Sequence, residues 1–467
     1  MKTINVGILG TMQHNFTGDK SGNYKRAVDK MTEQSKKLGF SLYVYDQLIV
    51  DNADVERFKK ASAEEKLDIL FIAFACFASG EIMTSLLDAA PHIGLWALTE
   101  PNSDGVLGYN SFCGMNMYTS NLMHYYRKAA PPHKWFFGLE KRFERRLEIT
   151  VSALQTIKNM QGARVGIVGD VVPGFNDLYY DERTIRENLG IEIVRNIEVA
   201  DIIEASESYS ESDIEEELKI VSASYCRINS DISVQMEKNA RFFKAITDMA
   251  TIKNLEAIAV ACWPKIQNQY NMLACSTLGK LNEQGLPTAC EGDLVGAVSM
   301  LMLKYAAQRN TMLMDLVAFD EKDDSVQMWH CGPASPEFAN DDGCCLDCFY
   351  ENMGGTVSRR NGVHDMTFRA GEATIMRMTE DCTKMFVSTG VFDSEKTTYF
   401  GSGGWLNQLT LADEPINAVD FIETIMSAGI PHHYPIVYGD MSDVMLEIAS
   451  WLNLKTQQKI AYKDYRI

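Results

Sequence analysis

A chain of 467 residues with 63 acidic and 44 basic side chains carries a formal charge of −19 and is long enough for more than one hydrophobic core. Nucleic acid and anionic membranes both require a basic face, so neither is expected as the main partner, whereas a small anionic ligand needs only a local cluster of donors. No apolar stretch approaches the roughly 20 residues of a membrane helix, no leader is read at the start, and the eleven scattered cysteines read as reduced thiols, so a cytoplasmic location is expected.

The first third alternates strand and helix. Asn5–Leu9 predicts a strand, residues 24–38 an amphipathic helix and Phe40–Tyr45 a second strand. Leu67–Ala75 predicts a third, apolar on both faces as a buried parallel strand requires, and His92–Leu98 a fourth. A connector rich in Pro, Lys and Arg (129–142) and a helix near 143–160 complete a first domain, 1–160.

The alternation restarts at Ala163–Gly169 and continues through Ile191–Val194, Leu255–Cys262 and Leu286–Cys290, with helices at 212–220 and 233–253. These define a second domain, 161–313. From residue 314 the pattern changes to short alternating strands, Val326–Trp329, Gly371–Met378 and Lys384–Ser388, and ends in a helix over Met441–Leu454. The expected architecture is two doubly wound, Rossmann-like α/β domains followed by a β-rich C-terminal domain, 314–467, with a terminal helix.

The Gly-x-x-Gly runs at 7–10 and 166–169 follow strands but complete neither a dinucleotide fingerprint nor a Walker A sequence, so plain strand-to-helix turns are expected there. Cys344, Cys345 and Cys348 sit close in sequence, yet no fourth ligand at zinc spacing accompanies them, which favours a thiol cluster over a metal site. His-Glu-x-x-His and Gly-x-Ser-x-Gly are both absent.

The acid that stands out is Glu291, in Cys290-Glu-Gly-Asp293, between an apolar strand and an apolar helix. Burial disfavours an unpaired carboxylate unless a cation lies beside it. Asp293 is well placed to cap the following helix, whereas Glu291 lies two positions earlier, at the strand end where ligand sites of α/β proteins form. Asp315 interrupts the hydrophobic strand Thr311–Phe319, His330 ends a strand, and His432 and His433 precede an apolar run. Taken singly, these read as a cap or surface-facing acid, a core histidine and a turn rim. As a set they suit a divalent cation, with imidazole favouring Mn²⁺ or another transition metal over Mg²⁺.

Several linked segments resemble the L-fucose isomerase and L-arabinose isomerase superfamily of ketol isomerases, most closely on its fucose side. They are Phe74–Glu81, Trp263–Gln269, Ala289–Asp293, Trp329–Gly332 and His432–Asp440. The resemblance implies Mn²⁺ (or Co²⁺ or Mg²⁺) held by Glu291, Asp315 and either His432 or His433, with His330 a looser match. It implies aldose–ketose interconversion through a cis-enediol, Glu291 and Asp315 sharing the proton transfer. Sugar contacts would come from Gln267, Gln269 and Phe77, with Gln13, His14 and Trp96 as first-domain candidates, and the family is usually hexameric. Phe77 stands where the family often has tryptophan, and Gln13 and His14 where fucose isomerases tend to supply arginine. A fucose- or arabinose-type sugar is therefore one expectation and a sulfonated sugar such as sulfoquinovose the alternative. A non-catalytic sugar-binding protein and a metal-dependent lyase or epimerase are the competing classes.

Overall fold

The computed structural model describes residues 2–14, 16, 20–228, 233–347 and 362–460. They form two compact units, 1–158 and 159–467.

In the first unit, strands β1 (Asn5–Thr11), β2 (Ser41–Ile49), β3 (Ile69–Phe74), β4 (Ile93–Ala97) and β5 (His133–Phe137) make one sheet in the order β2-β1-β3-β4-β5. Every pairing in it is parallel. β3 and β4 are buried at each position, which is why their sequences are apolar without alternation. Two expectations are corrected here. The stretch 129–142 is not simply a connector: His133–Phe137 pairs with β4 as an edge strand, its Trp135 and Phe137 exposed. Lys134, the one Lys or Arg within it, sits where an edge tolerates a charge. Gly7 and Gly10 lie inside β1 rather than in a turn after it. A Cβ on Gly10 would come within 2.6 Å of the Tyr24 ring and 2.7 Å of Leu48, so this glycine lets a helix and a neighbouring strand approach closely.

The second unit opens with β6 (Arg164–Val168), β7 (Glu192–Ile197), β8 (Arg227–Ile228), β9 (Ala257–Val260) and β10 (Thr288–Ala289). Four of these form a parallel sheet, β10-β9-β6-β7. There follow β11 (Met312–Asp320), β12 (Ser325–His330), β13 (Cys345–Asp347), β14 (Val363–Thr367), β15 (Gly371–Met378), β16 (Lys384–Asp393), β17 (Ser402–Leu411), β18 (Glu414–Pro415), β19 (His433–Tyr438) and β20 (Lys455–Thr456). Six of them pair antiparallel in the cycle β16-β15-β19-β11-β12-β17, and β17 returns to β16. The ring is closed, so these strands satisfy one another's backbone without a free edge. Its packing includes Met314, Met328, Ile375, Phe386, Leu406 and Ile436, all buried.

The chain is thus mixed α/β, with parallel sheets and a β-rich C-terminal region. β17 and the helix Ala418–Ala428 were not expected from the sequence; the expected terminal helix is present at Ser442–Trp451. Among the described residues no helix is long and apolar enough to cross a membrane. Cys344 is buried and Cys345 half-buried, while Cys348 lies outside the described residues. Among the described residues the thiols of this cluster belong to no group able to hold a metal ion.

Candidate metal and proton-transfer centre

The loops after β6, β9 and β10 run from the C-terminal ends of parallel strands, where α/β folds present ligand sites. After β10 the chain turns within four residues: Cys290 carbonyl accepts the Asp293 N–H at 3.0 Å, and Glu291 and Gly292 between them have φ of 60° and 72°. Positive φ at both central positions is the mirror-image turn that favours glycine. Gly292 is obligatory, since a Cβ there would lie 2.4 Å from the Asp170 carbonyl oxygen. Glu291 is not glycine, and holding it in this conformation costs about 1–2 kcal/mol. The loop after β6 clamps it: Glu291 carbonyl accepts the Val172 N–H at 3.1 Å. Strain of this kind is characteristic of functional positions.

Asp293 caps the helix Leu294–Ala307 as expected, its Oδ1 accepting the Gly296 N–H at 2.8 Å. Its second oxygen has a separate task. Oδ2 accepts from the Arg377 guanidinium of β15 and from His433 Nδ1, at 3.0 Å, with all three side chains buried. Burial alone would raise the Asp293 carboxyl, but Arg377 and His433 outweigh it and hold the group well below the usual carboxylate range.

The barrel brings the remaining groups. Asp315 on β11 is the register partner of His433 on β19, so the two side chains leave the same face. Asp315 Oδ1 lies 3.5 Å from His433 Nε2; it is shielded from solvent and makes no hydrogen bond. Glu291 Oε2 is 3.3 Å from His433 Nε2 and 3.4 Å from His432 Nε2, and its Oε1 accepts the Trp263 indole N–H at 3.2 Å. Burial raises Glu291, the two histidines lower it, and the net shift is strongly downward. Phe175 closes one side, its ring 5.4 Å from both Trp263 and His432.

The three histidines differ in what fixes their Nδ1. His433 Nδ1–H donates to Asp293 and His432 Nδ1–H to Asp177, the latter at 2.6 Å, so in both rings Nε2 faces Glu291. A carboxylate behind Nδ1 is the arrangement that orients metal-ligating imidazoles. His330 is built the other way. Its Nδ1 accepts the Cys331 N–H at 2.8 Å, which puts the ring proton on Nε2, directed at Cys290 Sγ 3.0 Å away. Asp315 Oδ1 lies 4.0 Å from that nitrogen.

Two overlapping groups therefore offer ligand atoms within 4.8 Å of one another: Glu291, His432 and His433, and Cys290, His330 and His433. Gln267 and Gln269 lie on the helical turn Ile266–Tyr270 after Trp263, Gln267 half-buried and Gln269 exposed. Gln13, His14 and Phe77 belong to the first unit; the Gln13 N–H donates to Cys76 Sγ at 3.3 Å, Phe77 packs against Phe16, and His14 is exposed. Trp96 is a core residue. It is fully buried, stacked on Phe143 at 4.1 Å, with its indole N–H on the Gly138 carbonyl, so no face is open to a sugar.

Asp177, Trp263 and Arg377 complete the centre without having been named as site residues from the sequence, and Asp293 was expected there only as a helix cap. Asp177 sits on a single 3-10 turn, Asn176–Leu178, and carried no signal. Trp263 stood beside the glutamine pair, and its indole bond to Glu291 had none either.

No family model matches the chain. It is 28% identical over 427 residues to a sulfoquinovose isomerase of Priestia megaterium, covering 88% of this chain and 90% of the relative. A sulfoquinovose isomerase of Alkalicoccus urumqiensis is 26% identical over 387 residues, 81% of this chain and 83% of the relative. A third, of a Clostridium species, is 23% identical over 370 residues, 78% of this chain and 79% of the relative.

Proposed function

We propose that this protein is a divalent-metal aldose–ketose isomerase acting on a sulfonated aldose such as sulfoquinovose. The observation that carries the chemistry is that Glu291, from a strained turn, and Asp315, from the strand paired with β19, each come within 3.5 Å of His433 Nε2. The substrate class is supported by relatives named sulfoquinovose isomerases over most of both chains. These favour the sulfonated sugar over the fucose- or arabinose-type substrate that the sequence resemblance put first.

The donor set suits a hard or borderline cation such as Mn²⁺: two carboxylates and an imidazole, with a buried Asp315 oxygen lacking any hydrogen bond. Glu291, Asp315 and His433 are the proposed ligands, with His432 at the rim. When bound, the cation supplies Lewis-acid stabilisation of the charge that develops on the two sugar oxygens. His330 is left out of the set, because its Nε2 bears the proton that a ligand nitrogen must lack.

The chain's own groups then divide the work. Asp293 and Arg377 lock His433, and Asp177 locks His432, so that neither ring has to reorient. Trp263 fixes one Glu291 oxygen and leaves the other facing the histidines. Glu291 and Asp315 are the candidates to remove the C2 proton and return it at C1, a transfer worth about 10²–10⁴ in rate when positioned. The wall of Phe175 and Trp263 offers an apolar surface to the carbon skeleton.

The test is conversion of sulfoquinovose, L-fucose and L-arabinose to their ketoses by Mn²⁺-loaded protein. The expected result is turnover with kcat/KM highest for the sulfonated sugar. A preference for either neutral sugar would refute the substrate class, and no turnover of any aldose with metal bound would refute the isomerase.

A further inference from the structure

We propose that Cys226 and Cys345 form an oxidant-sensitive dithiol that closes to a disulfide on exposure to a peroxide. Their Sγ atoms are 3.0 Å apart, roughly 1 Å beyond disulfide bonding distance, although 119 residues separate them in the chain. The backbone holds them there. β8 runs parallel to β13 with Arg227 opposite Cys345 and Ile228 opposite Leu346, and the Cys226 N–H donates to the Cys344 carbonyl at 2.9 Å. Closing the bond therefore needs side-chain movement alone.

Access and chemistry agree with this. Cys226 is exposed and Cys345 half-buried. Arg227, paired with Asp347 at 2.8 Å, lies opposite Cys345 in the strand register, and the hydrogen bond to Cys345 raises the Cys226 thiol, so Cys226 is the partner that keeps its proton and Cys345 the sulfur that reacts first. A second close thiol pair among the described residues, Cys275 and Cys331, is 3.3 Å apart, and Cys275 is buried.

The reaction has two steps. Cys345 thiolate attacks one peroxide oxygen, the O–O bond breaks, and the Cys345 sulfenic acid forms as hydroxide leaves and is protonated to water. Cys226 then attacks the Cys345 sulfur, forming the S–S bond and releasing the sulfenic oxygen as a second water. Two thiols lose two electrons, and one hydrogen peroxide becomes two waters. The bond would join β8 to β13 covalently. These strands lie at one end of the sheet path that passes through β14 and β17 to β12, which carries His330.

The experiment is to treat fully reduced full-length protein with hydrogen peroxide, block remaining thiols, and map linked peptides by mass spectrometry. The first link expected is Cys226–Cys345 within one chain, with free thiols falling from eleven to nine. In Cys226→Ser a dimedone-reactive sulfenic acid should accumulate at Cys345. A first link joining any other pair, Cys345–Cys348 included, would overturn the proposal. So would a link between two copies, or oxidation of exposed Cys113 while Cys226 and Cys345 stay reduced. Should the serine variant not fold, the map of the unsubstituted protein decides by itself.

Discussion

Asp315 and His433 face each other in register across β11 and β19, with Asp315 Oδ1 3.5 Å from His433 Nε2. Because both strands belong to the closed ring, their backbones are fixed from both sides, and the pair is a rigid half of the centre. Glu291 supplies the other half from the turn after β10.

Glu291→Gln keeps the shape of the turn and removes the charge. Metal affinity should fall, and turnover should drop by at least about 10²-fold, while the unfolding midpoint stays near that of the parent. Calorimetric titration with Mn²⁺, alongside a steady-state assay, checks both. Retained activity would reduce Glu291 to a strained turn residue.

The histidines should separate by the partner of Nδ1. His433→Gln should abolish stoichiometric Mn²⁺ binding, whereas His330→Gln should still bind one Mn²⁺ per chain by elemental analysis. Loss of metal in the His330 variant would mean that the His330 ring proton shifts to Nδ1 and leaves Nε2 free to bind.

Asp293 acts through His433, so Asp293→Asn should weaken Mn²⁺ binding by about 10–100-fold. Arg377→Met should show a different defect. It leaves a fully buried carboxylate without its cation and should cost about 3–5 kcal/mol in urea unfolding.

His364 provides a pH signature away from the centre. Burial lowers its pKa from 6.5 to about 3, with Nδ1–H on the Ala334 carbonyl and Nε2 accepting from Tyr225. Between those values the unfolded chain binds a proton that the folded chain does not. This histidine therefore contributes stability above pH 6.5 that is lost as pH falls through the window, by up to about 1.4 kcal/mol per pH unit. Urea midpoints at pH 4.5 and 6.5 should differ less in His364→Gln than in the parent; an equal difference would show that His364 already titrates when folded.

How much of this was legible in the sequence depends on whether a signal was local. The unbroken apolar run of β3 announced a buried parallel strand, and Asp293 before an apolar helix announced a cap. Glu291 was conspicuous because its neighbours are built for burial. His432 and His433 could not be ranked, since the difference lies in Asp177 and Asp293, which approach Nδ1 only in the folded chain. Trp96 misled because an aromatic in a strand looks the same whether it meets a ligand or Phe143. β5 was masked by its flanking prolines and charges, and the ring closure of β16 on β17 is a long-range pairing with no local trace.

The most direct test is to incubate Mn²⁺-loaded protein with sulfoquinovose in deuterated water and to follow C1 and C2 by NMR. Proton transfer through a cis-enediol predicts ketose formation with solvent deuterium entering at C1 of the ketose and at C2 of the recovered aldose, both slowed by at least about 10²-fold in Glu291→Gln. Ketose formed at an undiminished rate by Glu291→Gln, or no ketose from metal-loaded parent protein, would contradict the assignment of this centre.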